Sequence, residues 1–268
     1  MREAAKAVAV FDSGVGGLTV FKEVRRVLPA ERLVYFGDTA RLPYGSKSKE
    51  AVTRFSLEIA RFLLERDIKM LIVACNSASA LALPALEAAL DIPVLGVIGP
   101  AVRAAAAATR VGTIGVIGTE ATVQSQAYER ALEGLGCGLR TVVKPCPLFV
   151  PLVEEGWWEH PVTRQVAREY LRPLMRSGMD TLILGCTHYP LLKPVLARVA
   201  GRGVRLIDSG AEMAREARAW LMTHKLERGG GKGSQEFFVS DAPERFRRLA
   251  RRFLGSGVGK VELARVEA

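Results

Sequence analysis

Short apolar runs alternate with longer stretches of helical periodicity along most of the chain. The first series predicts strands over 7–11, 33–36, 69–74 and 93–97, with helices over 17–28, 48–66 and 78–90 and a loop over 37–47. A helix over 100–110 leads into a second series: strands over 112–117, 139–144, 180–185 and 204–208, and helices over 122–135, 162–177 and 190–200. Such alternation predicts an α/β fold of parallel sheets flanked by helices and joined by right-handed crossovers. A helix over 211–224 precedes a flexible linker, Arg228-Gly-Gly-Gly-Lys-Gly-Ser234. A short strand over 237–239 and an amphipathic helix over 242–254 follow, and the last dozen residues read as frayed.

Two of the apolar runs read alike. Met70-Leu-Ile-Val-Ala-Cys75-Asn76-Ser77 and Thr181-Leu-Ile-Leu-Gly-Cys186-Thr187-His188 each end in a thiol followed by polar residues. The shift of 111 that superimposes them also lays Pro93–Val97 onto Val204–Asp208, and a shift of 106 lays Val8–Ser13 onto Ile114–Thr119. The chain therefore reads as two related halves. A pseudo-twofold puts Cys75 and Cys186 on opposite sides of a shared cleft, with Ser13 and Thr119 as further lining. Local pattern alone would cut the chain once, near residue 99.

Length and composition narrow the class. A chain of 268 residues holds two domains of roughly 100 residues each. Four cysteines without a Cys-x-x-Cys pair point to free thiols in a reducing compartment. No signal-peptide layout opens the chain, and Glu87, Asp91 and Arg103 interrupt the apolar runs before membrane-spanning length, so a soluble, cytoplasmic protein is expected. The net charge of +10 is densest in Arg245-Phe-Arg-Arg-Leu-Ala-Arg-Arg252. Such a cluster can contact nucleic acid. The recurrence of Phe246, Leu249 and Phe253 at helical spacing favours the plainer reading, the solvated face of an amphipathic helix. The chain has a single asparagine, Asn76, whose place beside Cys75 suggests a role for its carboxamide.

Strand ends are where open α/β sheets place ligand chemistry. Asp12-Ser13-Gly-Val-Gly-Gly17 follows the first strand but misses the G-x-G-x-x-G spacing, and no acidic residue closes the second strand, which argues against a dinucleotide site. What remains is Asp12, able to accept from an ammonium, ahead of a helix N-terminus able to receive an anion. Zinc is disfavoured because Cys186-x-His188 is an unusual ligand step and Cys137 and Cys146 are not closely paired. Two inert buried thiols are the stronger rival. Against it, Asn76-Ser77 and Thr187-His188 would each cost about 1–3 kcal/mol per unpartnered group if simply buried. A free thiol titrates near pH ~8.5, so a thiol and a thiolate can coexist as an acid–base pair.

Phe11-Asp12-Ser13-Gly-Val-Gly-Gly, Pro43-Tyr44-Gly45, Ala-Cys75-Asn76-Ser77-Ala, Gly118-Thr119-x-x-Thr122 and Gly-Cys186-Thr187-His188-Tyr-Pro together resemble bacterial glutamate racemases, over about residues 7 to 225. The resemblance implies interconversion of L- and D-glutamate without pyridoxal phosphate or metal, supplying D-glutamate for peptidoglycan. It implies that Cys75 serves the D-substrate and Cys186 the L-substrate. Asp12, Ser13, Tyr44, Gly45, Asn76, Ser77, Thr119, Thr122, Thr187 and His188 fall on substrate-binding positions, and Glu154 on a cleft residue that orients the histidine or the ammonium. Ser77 stands where many members have Thr. Glutamate is favoured over aspartate because related aspartate racemases tend to place Glu where His188 stands. The resemblance also implies a chain that crosses between domains, 1–97 with 209–268 forming one and 98–208 the other. A homodimer is expected, and contact with DNA gyrase is a second role implied for some members. The rival readings are a racemase or decarboxylase for another amino acid and, from a different class, a nucleic-acid or gyrase-binding module.

Overall fold

The computed structural model describes residues 3–256 and 258–266. The first series of elements is β1 (Ala7–Asp12), α1 (Leu18–Val27), β2 (Arg32–Gly37), α2 (Lys49–Leu64), β3 (Ile68–Val73), α3 (Asn76–Leu81), α4 (Leu83–Ala89) and β4 (Val94–Gly96). The second is α5 (Ile98–Ala108), β5 (Thr113–Gly118), α6 (Glu120–Gln124), α7 (Ala127–Glu133), β6 (Arg140–Pro145), α8 (Phe149–Glu154), α9 (Pro161–Arg176), β7 (Thr181–Gly185), α10 (Lys193–Ala200) and β8 (Arg205–Asp208). The chain ends with α11 (Ser209–Thr223), β9 (Ser234–Val239), α12 (Pro243–Leu254) and β10 (Val261–Leu263).

Two parallel sheets result. One has the order β10-β9-β2-β1-β3-β4 and the other β6-β5-β7-β8. The sub-order β2-β1-β3-β4 is repeated by β6-β5-β7-β8, so the sequence duplication is a duplication of sheet topology. β1, β3, β5 and β7 are buried at every position, as central parallel strands covered on both faces must be. Alternate residues serve different cores: Ala7, Ala9 and Phe11 pack with Ile59 and Leu63 of α2, while Val8 and Val10 pack with Phe21 of α1 and Ala217 of α11. That second cluster also takes in Leu182 and Leu184 of β7, so one core joins the two sheets. Truncating Phe11, fully buried, to alanine would cost about 3–5 kcal/mol.

The crossing back to the first sheet is abrupt. Asp208 ends β8 and caps α11 at once, its Oδ1 accepting from the N–H groups of Gly210 (2.9 Å) and Ala211 (3.2 Å). α11 then lies against α1.

Several expected boundaries change. The helix over 78–90 is broken at Ala82 because Pro84 has no N–H with which to continue it. The helix over 122–135 starts earlier, capped by Thr119, and breaks at Gln126, whose φ of 53° is left-handed. Ser125 stabilises that break by donating to the Thr122 carbonyl (2.6 Å) and accepting from the Ala127 N–H (3.2 Å). α8 occupies a stretch where no helix was expected. Of the last dozen residues, 257 and 267–268 lie outside the described residues, and the described part is not frayed: β9 pairs with β2 from Arg32↔Ser234 to Gly37↔Val239, and β10 adds to β9. Among the described residues no helix is long and apolar enough to cross a membrane.

Candidate active site

The C-terminal ends of β1, β3, β5 and β7 converge on a cavity of about 280 Å³. Ser13 and Gly14 come from the end of β1, Cys75, Asn76 and Ser77 from β3, Thr119 from β5, and Cys186, Thr187 and His188 from β7. Tyr44 and Gly45 reach it from the loop after β2, and Val150, Pro151 and Glu154 from α8. Of the residues expected at the site, only Asp12 and Thr122 are absent from the wall; both lie directly behind it. Cys75 and Cys186 are each 5% exposed, enough to touch the cavity and little more.

Asp12 is fully buried and ties the two halves together. Its Oδ2 accepts from the Gly14 N–H (3.0 Å) and its Oδ1 from the Thr187 hydroxyl (3.4 Å). The glycines after it serve close approach. A Cβ on Gly16 would lie 2.4 Å from Thr187 Oγ1, and one on Gly17 2.3 Å from Asp12 Cβ. The glycine turn thus lets the β1 end nest against the Cys-Thr-His turn. Burial raises the Asp12 carboxyl above its ordinary value, opposed by the charge of His188 and the N–H groups of Gly17 and Gly14.

The two thiols have different neighbours. Cys75 Sγ stands 3.7 Å from Ser13 Oγ. Burial first, then the nearby Asp12 carboxylate, pushes its thiol up to about 12. Cys186 Sγ lies 3.9 Å from His188 Nδ1, and His188 Nε2 lies 3.2 Å from Glu154 Oε1. Burial opposes a charged His188, but its contacts with Cys186 and Glu154 outweigh that and raise it to about 10. Glu154 is lowered in turn, chiefly by its hydrogen bond with His188.

Neutral donors complete the wall. Ser77 Oγ is 2.9 Å from Thr119 Oγ1, which is 2.9 Å from Thr122 Oγ1, a hydroxyl chain from one half to the other. Asn76 Oδ1 accepts from the Tyr128 hydroxyl at 2.7 Å, while Asn76 Nδ2 is buried with no protein partner. Tyr44 is fixed from behind by a hydrogen bond to Asp38.

Pattern reading had not pointed to Tyr128, nor to the part α12 takes. This helix buries Phe246 and Phe253 of the expected apolar stripe, with Leu249 partly buried against the same core and Ala250 buried beside it. Phe253 meets the His188 ring edge-on (centroids 5.7 Å apart, 88° between planes). Arg245 lies 3.7 Å from Glu154 Oε2, and Arg252 donates to the Glu154 carbonyl (3.2 Å). Two arginines of the basic cluster thus face the site's own carboxylate residue. Cys146 is fully buried outside the cavity lining, and burial raises its thiol well above the ordinary range. Among the described residues no three His, Cys, Asp or Glu side chains converge as metal ligands.

Residues 16–217 match the model of the Asp/Glu/Hydantoin racemase family. A glutamate racemase from Geobacter metallireducens is 54% identical over 264 residues, covering 98% of both chains. The crystal structure of a glutamate racemase isoform from Bacillus anthracis superimposes with a TM-score of 0.95 at 41% identity, covering 97% of this chain and 98% of that one. A Francisella tularensis glutamate racemase solved in complex with D-glutamate gives a TM-score of 0.92 at 35% identity, covering 98% and 99%. The chain belongs to the Asp/Glu/hydantoin racemase family and, within it, to the glutamate racemases, which are isomerases.

Proposed function

We propose that the protein interconverts L- and D-glutamate by proton transfer between Cys75 and Cys186, with no cofactor, and that the D-glutamate enters peptidoglycan. The observation that carries the reading is the pair of thiols at the ends of equivalent strands, β3 and β7, lining one cavity. Inversion needs a base on one face of the α-carbon and an acid on the other. In one direction a thiolate at Cys186 takes the α-proton, the bonding pair delocalises into the α-carboxylate, and the Cys75 thiol gives its proton to the opposite face. The reverse reaction starts with the protonation states exchanged. Each residue is catalytic in both directions.

The remaining residues serve that transfer. Asn76 Nδ2 and the hydroxyls of Ser13, Ser77, Thr119 and Thr187 offer neutral donors to the substrate carboxylates, with Thr122 supporting Thr119; Tyr44 and Gly45 close the same wall. Donors placed where charge develops in the transition state are worth more than donors in water. Asp12, behind the wall, acts on the ammonium through its charge and through the Thr187 hydroxyl it holds. Glu154 holds His188 protonated beside Cys186, where an imidazolium offsets negative charge on sulfur. In the same reading the chain divides into 1–97 with 209–268 and 98–208; the pairing of β9 with β2 supports it.

The test is L-glutamate incubated with purified protein and no added cofactor, followed by circular dichroism. The expected result is decay of the signal to zero, with aspartate and other amino acids turned over at least about a hundredfold more slowly, a discrimination of about 3 kcal/mol. An unchanged glutamate signal, or faster turnover of aspartate, would overturn the reading.

A further inference from the structure

Asn76 is the only asparagine in the chain, and the two ends of its amide are treated differently. Oδ1 is held by the Tyr128 hydroxyl at 2.7 Å, while Nδ2 is buried, unpartnered and part of a residue that lines the cavity. Buried N–H groups are rarely left unpaired, so this one is reserved for a ligand. A carboxamide can present either end, and a phenol can either donate or accept. Against an anionic ligand only one arrangement avoids facing oxygens: Nδ2 toward the ligand and Oδ1 toward a donating phenol.

We propose that Tyr128 is a positioning residue for carboxylate binding, its hydroxyl locking the Asn76 amide with Nδ2 toward the cavity. The inference rests on the reading of this cavity as a glutamate site. Tyr128 is built for such a lock. It is the second residue of α7, where the helix restarts after the left-handed Gln126, so the break between α6 and α7 sets its direction. Its ring is 1% exposed and packs in one core cluster with Ile114 and Ile183. It also lies over Gly185, where a Cβ would come within 3.1 Å of the ring. Gly185 immediately precedes Cys186. One clamped ring therefore fixes the Asn76 turn of the first half relative to the Cys186 turn of the second.

The test is a double-mutant cycle read as the glutamate KM, with thermal melts as folding controls. Asn76→Ala alone tests the glutamate reading: an unchanged KM removes that reading and the inference with it. Given a raised KM there, Tyr128→Phe in the wild-type background is expected to raise KM roughly tenfold, the weight of one buried hydrogen bond. In the Asn76→Ala background the same change is expected to move KM less than about twofold. A Tyr128→Phe enzyme with wild-type KM, or an equal loss in both backgrounds, overturns the lock while leaving the glutamate reading standing. If Tyr128→Phe does not fold, wild-type protein labelled with [15N]asparagine decides, because the single asparagine gives a single side-chain NH2 pair. The lock predicts that glutamate shifts this pair and that its protons show at most a weak nuclear Overhauser contact to the Tyr128 ring. A strong contact to the ring would mean the amide is turned the other way, and the proposal fails.

Discussion

The surroundings of Cys75 and Cys186 differ far more than the strands that carry them. β3 and β7 hold the same place in the same strand order, each beside the central strand of its sheet. Beyond the strand ends the likeness stops. Cys75 has a serine hydroxyl at 3.7 Å, which favours the thiolate, but burial and the nearby Asp12 carboxylate outweigh it and keep the thiol protonated. Cys186 has an imidazole at 3.9 Å, held in turn by Glu154, with Arg245 behind. Duplication accounts for the equivalent places of the two thiols at strand ends that line one cavity, and divergence of the flanking residues gives each a different neighbourhood. In the proposed chemistry the empty enzyme holds a proton on Cys75, and negative charge at Cys186 is offset by His188.

The most damaging way to probe the comparison removes either sulfur. Cys75→Ala and Cys186→Ala are each expected to lower kcat for racemisation at least about 10³-fold with the fold intact, since each deletes an acid and a base. Serine should be almost as poor at either position, because an alkoxide is not accessible near neutral pH. Either alanine variant turning over near the wild-type rate would show that the two thiols are not partners.

Glu154→Gln sharpens the difference between the two sides. Its loss removes one of the contacts that raise His188 to about 10. The imidazolium, present below that pH and lost as pH rises through it, should then disappear at lower pH. The alkaline limb of kcat is expected to move down, and kcat to fall roughly tenfold. An unmoved limb would detach Glu154 from His188.

Asp12→Asn probes the other side. Its carboxylate raises the Cys75 thiol, so the variant should lower the pH at which Cys75 is alkylated by iodoacetamide. Turnover is expected to fall more than affinity, by about tenfold or less, if the charge orients the ammonium. Smallest of all is Arg245→Ala: its side chain is 65% exposed and 3.7 Å from Glu154, so a change under about twofold in kcat is expected, in line with surface ion pairs.

How much of this was legible follows from where each signal resides. Strands buried on both faces read as continuous apolar runs, so β1, β3, β5 and β7 were visible, and with them the thiols at their ends. The break at Ala82 had a local cause in Pro84 that a longer helical pattern masked. The return of the tail did not: Val261-Glu-Leu is short and half exposed, and its place is set by pairing with β9, far from any local pattern. For that reason local pattern suggests one cut near residue 99, whereas the strands of the first sheet come from both ends of the chain. Glu154 entered only through the family resemblance, because an acidic residue at the end of a short helix looks like any solvated carboxylate. Tyr128 was invisible for a different reason. An aromatic on the buried face of a helix reads as core, which its ring is, and only the long-range partner of its hydroxyl separates it from other core aromatics.

The claim that two residues on opposite faces exchange protons with the substrate is tested most directly by isotope. L-glutamate is incubated with the enzyme in deuterium oxide, and both enantiomers are separated and weighed by mass spectrometry at early conversion. The account predicts D-glutamate carrying one solvent deuterium at the α-carbon, while recovered L-glutamate stays almost unlabelled, because the acid that delivers the new hydrogen is not the base that took the old one. D-glutamate that retains the substrate's own hydrogen would mean that one group carries the proton across, and the two-thiol account would be wrong.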